Sequence, residues 1–276
     1  MSRASHPRST QRSPLIVGIG ASAGGLQAFK TFFANMPADS GMAFVLVQHL
    51  DPDHKSMLVD LLGAQTAMPV VEAKNRMAVA ADRVFVIPPN ATMTIARGVL
   101  RVSKPAPKLG QRWPVDTFLS ALAEDQADNA VGIILSGSGS DGTEGLRAVK
   151  EHGGLTLAQA AFDEHALSGM PESATATGLV DYLLPVEKMP AKLIEYRAHL
   201  ADIKTKKGSD GVRHDTGVHL AKICTLLRGA LGHDFSHYKE KTVVRRVQRR
   251  MQVLQIKEMA AYVEHLRKEP RELAGC

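Results

Sequence analysis

The sequence predicts an α/β fold, a doubly wound and mostly parallel sheet flanked by helices, followed by a small all-α C-terminal module. Three observations carry this. Short Val, Ile and Leu-rich runs alternate with helical stretches from residue 15 to about residue 190, the pattern of strands joined by helical crossovers. From residue 218 the strand-like runs stop and three helical stretches follow. The charge divides at the same place. Residues 218–276 hold 12 Lys and Arg against 6 Asp and Glu, whereas residues 14–197 hold 15 basic against 19 acidic groups. The formal net charge of +6 therefore belongs to the C-terminal module, and such asymmetry implies two modules with different partners.

Taken in order, residues 1–13 are expected to be a disordered tail. They carry Arg and Ser but no apolar stretch of a secretory signal. The α/β domain is placed at 14–197. Its strands are expected at Leu15–Ile19, Ala43–Gln48, Val84–Ile87, Val131–Leu135, Thr156–Ala158 and Val180–Leu184, each bounded by Gly, Pro, Ser or Asp. Helices are expected at Leu26–Asn35, Met57–Gly63, Pro114–Gln126 and Thr143–Glu151. Thr92–Val102 reads as an added β-hairpin turning at Arg97-Gly98. Residues 198–217 lack sustained periodicity and read as a linker. Val218–Gly232, Tyr238–Leu254 and Met259–Arg267 read as the helices of the last module, 218–276.

Composition narrows the function classes. No apolar run approaches the ~20 residues of a membrane span, so membrane insertion is not expected. Two cysteines, Cys224 and Cys276, give neither a disulfide framework nor zinc-ligand spacing, and suit a cytoplasmic protein. Aromatic content is 5%, and no base-reading motif accompanies the basic tail, so nucleic acid is not the expected partner.

The chemistry is concentrated at strand ends, where ligands of parallel sheets sit. Gly18-Ile19-Gly20-Ala21-Ser22-Ala23 fits the dinucleotide fingerprint. That fingerprint needs an acidic residue closing the second strand, and this strand ends in Gln48 and His49. Asp39 has the right separation but precedes the strand. Gly20-Ala21-Ser22-Ala23-Gly24 equally fits G-x-S-x-G, in which small neighbours let a serine sit on a sharp strand-to-helix turn. The backbone N–H after such a serine can face a developing oxyanion. A serine needs a base and an orienting acid. His49 supplies the base, from the end of a strand expected beside the first. Asp141, in the Ser-Asp-Gly that ends "SGSGSDG", supplies the acid. Other readings stand beside these. Asp141 could simply cap a helix. Ser136, Ser138 and Ser140 could cradle a phosphate. His49, Asp51, Asp53 and His54 could ligate a metal, or form a plain turn. His165 is a second candidate base. The chain order Ser, His, Asp differs from the α/β-hydrolase order.

The motifs "VGIGASAGGL", "FVLVQHLDPDH", "RWPVDTFLSAL", "IILSGSGSDGTEGL" and "GMPESATATGLVDYLLP" together resemble the catalytic domain of CheB-type chemotaxis protein-glutamate methylesterases. The resemblance covers about residues 13–190. It implies a Ser22, His49, Asp141 triad, with backbone N–H groups at Ala23 and Ser138 binding the oxyanion. It also implies hydrolysis of glutamate methyl esters on the cytoplasmic coiled coil of chemoreceptors, with possible glutamine deamidation and no cofactor or metal. The tail from "LLRGALGHDF" onward is similar to the helical N-terminal subdomain of CheR-type methyltransferases. That similarity implies the start of an esterase–methyltransferase fusion, whose S-adenosylmethionine-dependent domain would follow.

Within the tail, Val244, Val247, Met251 and Leu254 fall at core spacing, and Arg245, Arg246, Arg249 and Arg250 are displaced from them. These arginines are either a solvated face or, as the resemblance implies, a docking face for an acidic receptor region. Two positions depart from the family pattern. Ala23 stands where many relatives carry Thr, and Ser138 where they often carry Met. No receiver domain precedes residue 14, so the site is expected to be either constitutively open or gated by another source such as the tail. The alternatives from other classes are a nucleotide-binding oxidoreductase and a non-catalytic receptor-docking scaffold.

Overall fold

The computed structural model describes residues 14–22, 24–48, 57–104, 113–160, 169–206, 211–231, 240–254 and 256–269. Seven parallel strands form the main sheet in the order β10-β9-β8-β1-β2-β5-β3. They are β1 (Leu15–Ala21), β2 (Met42–Gln48), β3 (Val70–Glu72), β5 (Arg83–Val86), β8 (Ala130–Ile134), β9 (Leu155–Gln159) and β10 (Tyr182–Leu184). The six expected strands are all present. The seventh, β3, has only three residues on a sheet edge and carries too short an apolar run to be read locally. β4 (Met77–Ala78), β6 (Thr92–Ala96) and β7 (Val99–Ser103) form a small antiparallel sheet. Its hairpin turns at Arg97 and Gly98 with φ of 54° and 70°, the double left-handed turn that matches strand twist. Asp125 accepts from the N–H groups of both turn residues.

Two apolar layers sandwich the main sheet. On one face α1 (Gly25–Ala34), α2 (Leu58–Gly63) and α6 (Met189–Lys206) cover Val17, Ile19, Phe44, Leu46, Ile133 and Leu157. Phe32, Phe33 and Phe44 meet edge to face at 5.2–5.8 Å there. On the other face α3 (Pro114–Gln126), α4 (Thr143–Glu151) and α5 (Met170–Ala176) pack with the hairpin over Ile16, Val45, Phe85 and Ile134. Alternate residues of β1 thus serve opposite cores, as a strand buried on both faces requires.

The glycines of "VGIG" are explained by this packing. A Cβ on Gly18 would stand 2.7 Å from Leu119 Cδ2, and one on Gly20 would overlap Val115 Cγ1. Both glycines let α3 lie directly on β1. The G-x-G pair that resembles a dinucleotide fingerprint is here a helix–sheet contact, which removes the main support for the oxidoreductase alternative.

The C-terminal module contains α7 (Gly211–Leu231), α8 (Glu240–Val253) and α9 (Met259–Lys268). Its core joins Leu220, Ile223, Leu227, Val243, Val247, Met251, Tyr262, Val263 and Leu266, with Val244 and Leu254 partly buried against them. Within the stretch 198–217, α6 runs on to Lys206 and α7 begins at Gly211. Met189, Leu193, Tyr196 and Leu200 are buried at helical spacing and hold α6 to the main core. No helix among the described residues is long and apolar enough to cross a membrane.

The module is fastened to the α/β domain at the amino end of β10. The Asp181 side chain is 0% exposed and pairs with Lys150, at the end of α4, and with Arg250 of α8 at 3.3 Å. Thr156 donates to the same carboxylate through its N–H and its hydroxyl. The Tyr182 hydroxyl donates to the Val253 carbonyl, and the Val253 side chain is buried in the core of the α/β domain.

Candidate active site

The sheet reverses its winding at β1. From β1 the chain steps outward through β2 toward β5, then returns to place β8 on the other side of β1. The carboxyl ends of β1 and β8 flank the crevice where ligands of doubly wound sheets bind. Ser22 follows β1 directly, and the loop Leu135–Gly142 follows β8.

Ser22 is held at three backbone points. Its N–H donates to the Ser136 carbonyl at 3.1 Å. Its carbonyl accepts from Gly25 N–H at 3.0 Å and from the Gln48 side-chain amide at 3.3 Å. Gly24, at φ 81°, makes the left-handed step that starts α1. The serine therefore rides a sharp strand-to-helix turn with its backbone fixed and its side chain half-buried. The loop after β8 is fixed in turn. Gln159, closing β9, accepts from Ser136 N–H at 2.9 Å, and the Gly137 carbonyl accepts from Met170 N–H at 2.9 Å. A Cβ on Gly137 would lie 2.7 Å from Ser22 Cβ and would strike Met170 Sδ. Glycine is required there because the loop backbone lies against the serine.

Asp141 ends this loop and is 2% exposed. Its Oδ2 accepts from Val115 N–H at 3.0 Å and its Oδ1 from Asp116 N–H at 2.9 Å. It thus caps α3 rather than α4, the helix it precedes in sequence. The capping reading and the triad reading are compatible. Each carboxylate oxygen has a second lone pair. Asp116 is the carboxylate beside it. Its Oδ1 accepts from Gly142 N–H at 2.9 Å and Gly145 N–H at 2.7 Å. Burial, with the neighbouring Asp141 charge, pushes the Asp116 carboxyl up to about 6.

The structure thus brings Ser22 against the loop that carries Ser138 and Asp141. Ser138 is exposed on that loop. His49, Ala23, His165 and the Asp51–His54 cluster lie outside the described residues. Among the four arginines, Arg250 is 15% exposed and pairs with Asp181, so it joins the two modules. Arg246 is exposed, and the side chains of Arg245 and Arg249 lie outside the described set. The described polar contacts of α8 with the α/β domain sit at the edge strand, three strands from β1, and α8 also packs on α6.

Sequence reasoning passed over Gln48, Gln159 and Asp116. The first two had a legible signal, an amide side chain closing an otherwise apolar strand. Asp116 had none, because an acidic residue in a first helical turn is ordinary.

Residues 17–193 match the CheB methylesterase family, and residues 219–275 match the all-alpha domain of CheR methyltransferases. The crystal structure of the Thermotoga maritima CheB methylesterase catalytic domain aligns with a TM-score of 0.60 at 32% identity, over 66% of this chain and 98% of that one. A protein-glutamate methylesterase/protein-glutamine glutaminase of Mesorhizobium japonicum is 36% identical over 71% of this chain and 56% of its own length. An uncharacterized 104.1 kDa protein of Rhodobacter capsulatus is 35% identical over 79% of this chain and 25% of its own length. The chain thus spans about half the length of the curated methylesterases it matches, and a quarter of the Rhodobacter protein.

Proposed function

The chain belongs to the CheB methylesterase family, and from that membership we propose that it is a serine hydrolase that demethylates γ-glutamyl methyl esters on the cytoplasmic coiled coil of chemoreceptors. The observation that carries this reading is the clamping of Ser22 at the switch point of the sheet, against the loop that ends in Asp141. His49 takes the Ser22 proton as Oγ attacks the ester carbonyl, and Asp141 fixes the His49 tautomer and stabilises its imidazolium. Backbone N–H groups at Ala23 and Ser138 receive the oxyanion. Methanol departs with the proton from His49. Water, activated by the same imidazole, then cleaves the acyl-enzyme to glutamate. No step needs a cofactor. Glutamine in the same seat would release ammonia by the same sequence, and the glutaminase activity named for the Mesorhizobium relative favours that second activity here.

Receptor recognition is assigned to the exposed Arg246, with Arg245 and Arg249 on the same helix, facing an acidic receptor segment in the cytoplasm. The test is methanol release from a methylated receptor fragment. Ser22→Ala should abolish it, and a fluorophosphonate probe should label Ser22 in the parent protein. Methanol release by the alanine variant at the parent rate sinks the reading.

A further inference from the structure

Two aspartates, 25 positions apart, each sit on the other's helix. Asp141 precedes α4 but caps α3, through Val115 and Asp116. Asp116 belongs to α3 but caps α4, through Gly142 and Gly145. Neither helix has a side-chain cap from its own N-cap residue. The four hydrogen bonds therefore form a crossed latch between two helix starts. The surroundings leave it little play. A Cβ on Gly145 would stand 2.6 Å from Leu119 Cβ and 3.1 Å from the Asp116 Cα. Gly142, at φ 96°, has no room for a side chain against Ile134 and Val115.

We propose that Asp116 is a positioning residue for the hydrolysis: its carboxylate pins the start of α4, and so holds Asp141 in the one orientation from which it can steer His49. This rests on the serine-hydrolase reading above. The physical argument is one of placement. Asp141 lies near the end of an eight-residue loop, Leu135–Gly142, that contains three glycines, Gly137, Gly139 and Gly142, and such a loop has much backbone freedom to lose. On the loop side Gln159 fixes Ser136. At the far end the backbone next to Asp141 is held by Asp116, through Gly142 N–H. A misplacement of about 1 Å in a catalytic group can cost on the order of 100-fold in rate. Burying two carboxylates side by side is also unfavourable, as the raised Asp116 titration near 6 records. An ordinary serine or threonine cap would avoid that penalty.

The test uses the full chain with p-nitrophenyl acetate and a methylated receptor fragment, well below each variant's melting temperature. Asp116→Ala should lower kcat about 30-fold or more with KM within about 2-fold, and slow fluorophosphonate labelling of Ser22 in parallel. Asp116→Asn keeps the oxygen that both N–H groups use, and should restore kcat to within about 3-fold of the parent. Because Asp116 acts through Asp141, the Asp141→Ala and Asp116→Ala double variant should be no slower than Asp141→Ala alone. Should Asp116→Ala not fold, Asp116→Ser takes its place under the same criteria. An alanine variant with a lowered melting temperature but the parent kcat overturns the proposal, as does an asparagine variant as slow as alanine or a fully additive double variant. Ser22→Ala, run beside them, separates the two claims. Activity without Ser22 removes the hydrolase reading itself, whereas a Ser22-dependent enzyme indifferent to Asp116 removes only the positioning role.

Discussion

Two buried carboxylates, Asp141 after β8 and Asp181 before β10, lie two strands apart and are satisfied in opposite ways. Asp141, beside the crevice after β8, accepts from the backbone N–H groups of Val115 and Asp116 and lies against the Asp116 carboxyl. Asp181, at the amino end of β10, is neutralised by Lys150 and Arg250 and filled by Thr156. Backbone donors fix a direction while leaving the negative charge in place for another group to use. Cations consume that charge and fasten pieces of chain together. The difference separates a carboxylate suited to chemistry from one suited to assembly, although both come from an Asp beside a small residue or an aromatic in a strand-end loop.

The contrast is broken most forcefully at Asp141. Asp141→Asn keeps an acceptor for α3 but loses the charge, and should reduce methanol release about 10⁴-fold while the melting temperature moves by only a few degrees. At Asp181 the reverse holds. Asp181→Ala leaves Lys150 and Arg250, 19% and 15% exposed, without their anion. It should cost about 3 kcal/mol of stability in thermal or urea unfolding. Activity of the folded fraction should stay within about 2-fold, because Ser22 is remote. The smallest effect sharpens the comparison through pH. Asp116 titrates near 6 in the folded protein against 3.8 in the open chain. A folded-state value above the unfolded one means that its contribution to stability is fully present below 3.8 and is lost as pH rises through about 6. Asparagine does not ionise. The melting temperature of Asp116→Asn relative to the parent should therefore rise between pH 4 and pH 7.5, and a flat difference would refute the burial argument.

Most of the sheet was legible because β1, β2, β8 and β9 are continuous apolar runs closed by Gly, Ser or amide residues. Ser22 was legible because its turn needs small neighbours, and those are printed beside it. Asp116 and Asp181 were not, because their partners stand 25–31 and 69 positions away and no local rule links them. α6 was missed for another reason. Its stripe of Met189, Leu193, Tyr196 and Leu200 has helical spacing, but polar residues and Pro190 interrupt it and the stretch from 198 on reads as a linker. Pro190 occupies the first turn, where its missing N–H costs nothing. The Gly18 and Gly20 pair shows the opposite hazard. A sequence pattern known for phosphate was present for a steric reason, and only the nearness of Leu119 and Val115 tells the two apart.

The seat of α8 on the edge strand also sets a ruler. Through the register of β10, β9, β8 and β1, Asp181 is level with Gly18, four residues short of Ser22 and three strands aside. At ~3.3 Å per residue and ~4.8 Å per strand, that is on the order of 20 Å. A receptor helix rising ~1.5 Å per residue spans it in about 13 residues. If such a helix is gripped at α8, the glutamate offered to the serine is not the one under the grip but one nearly four turns along it.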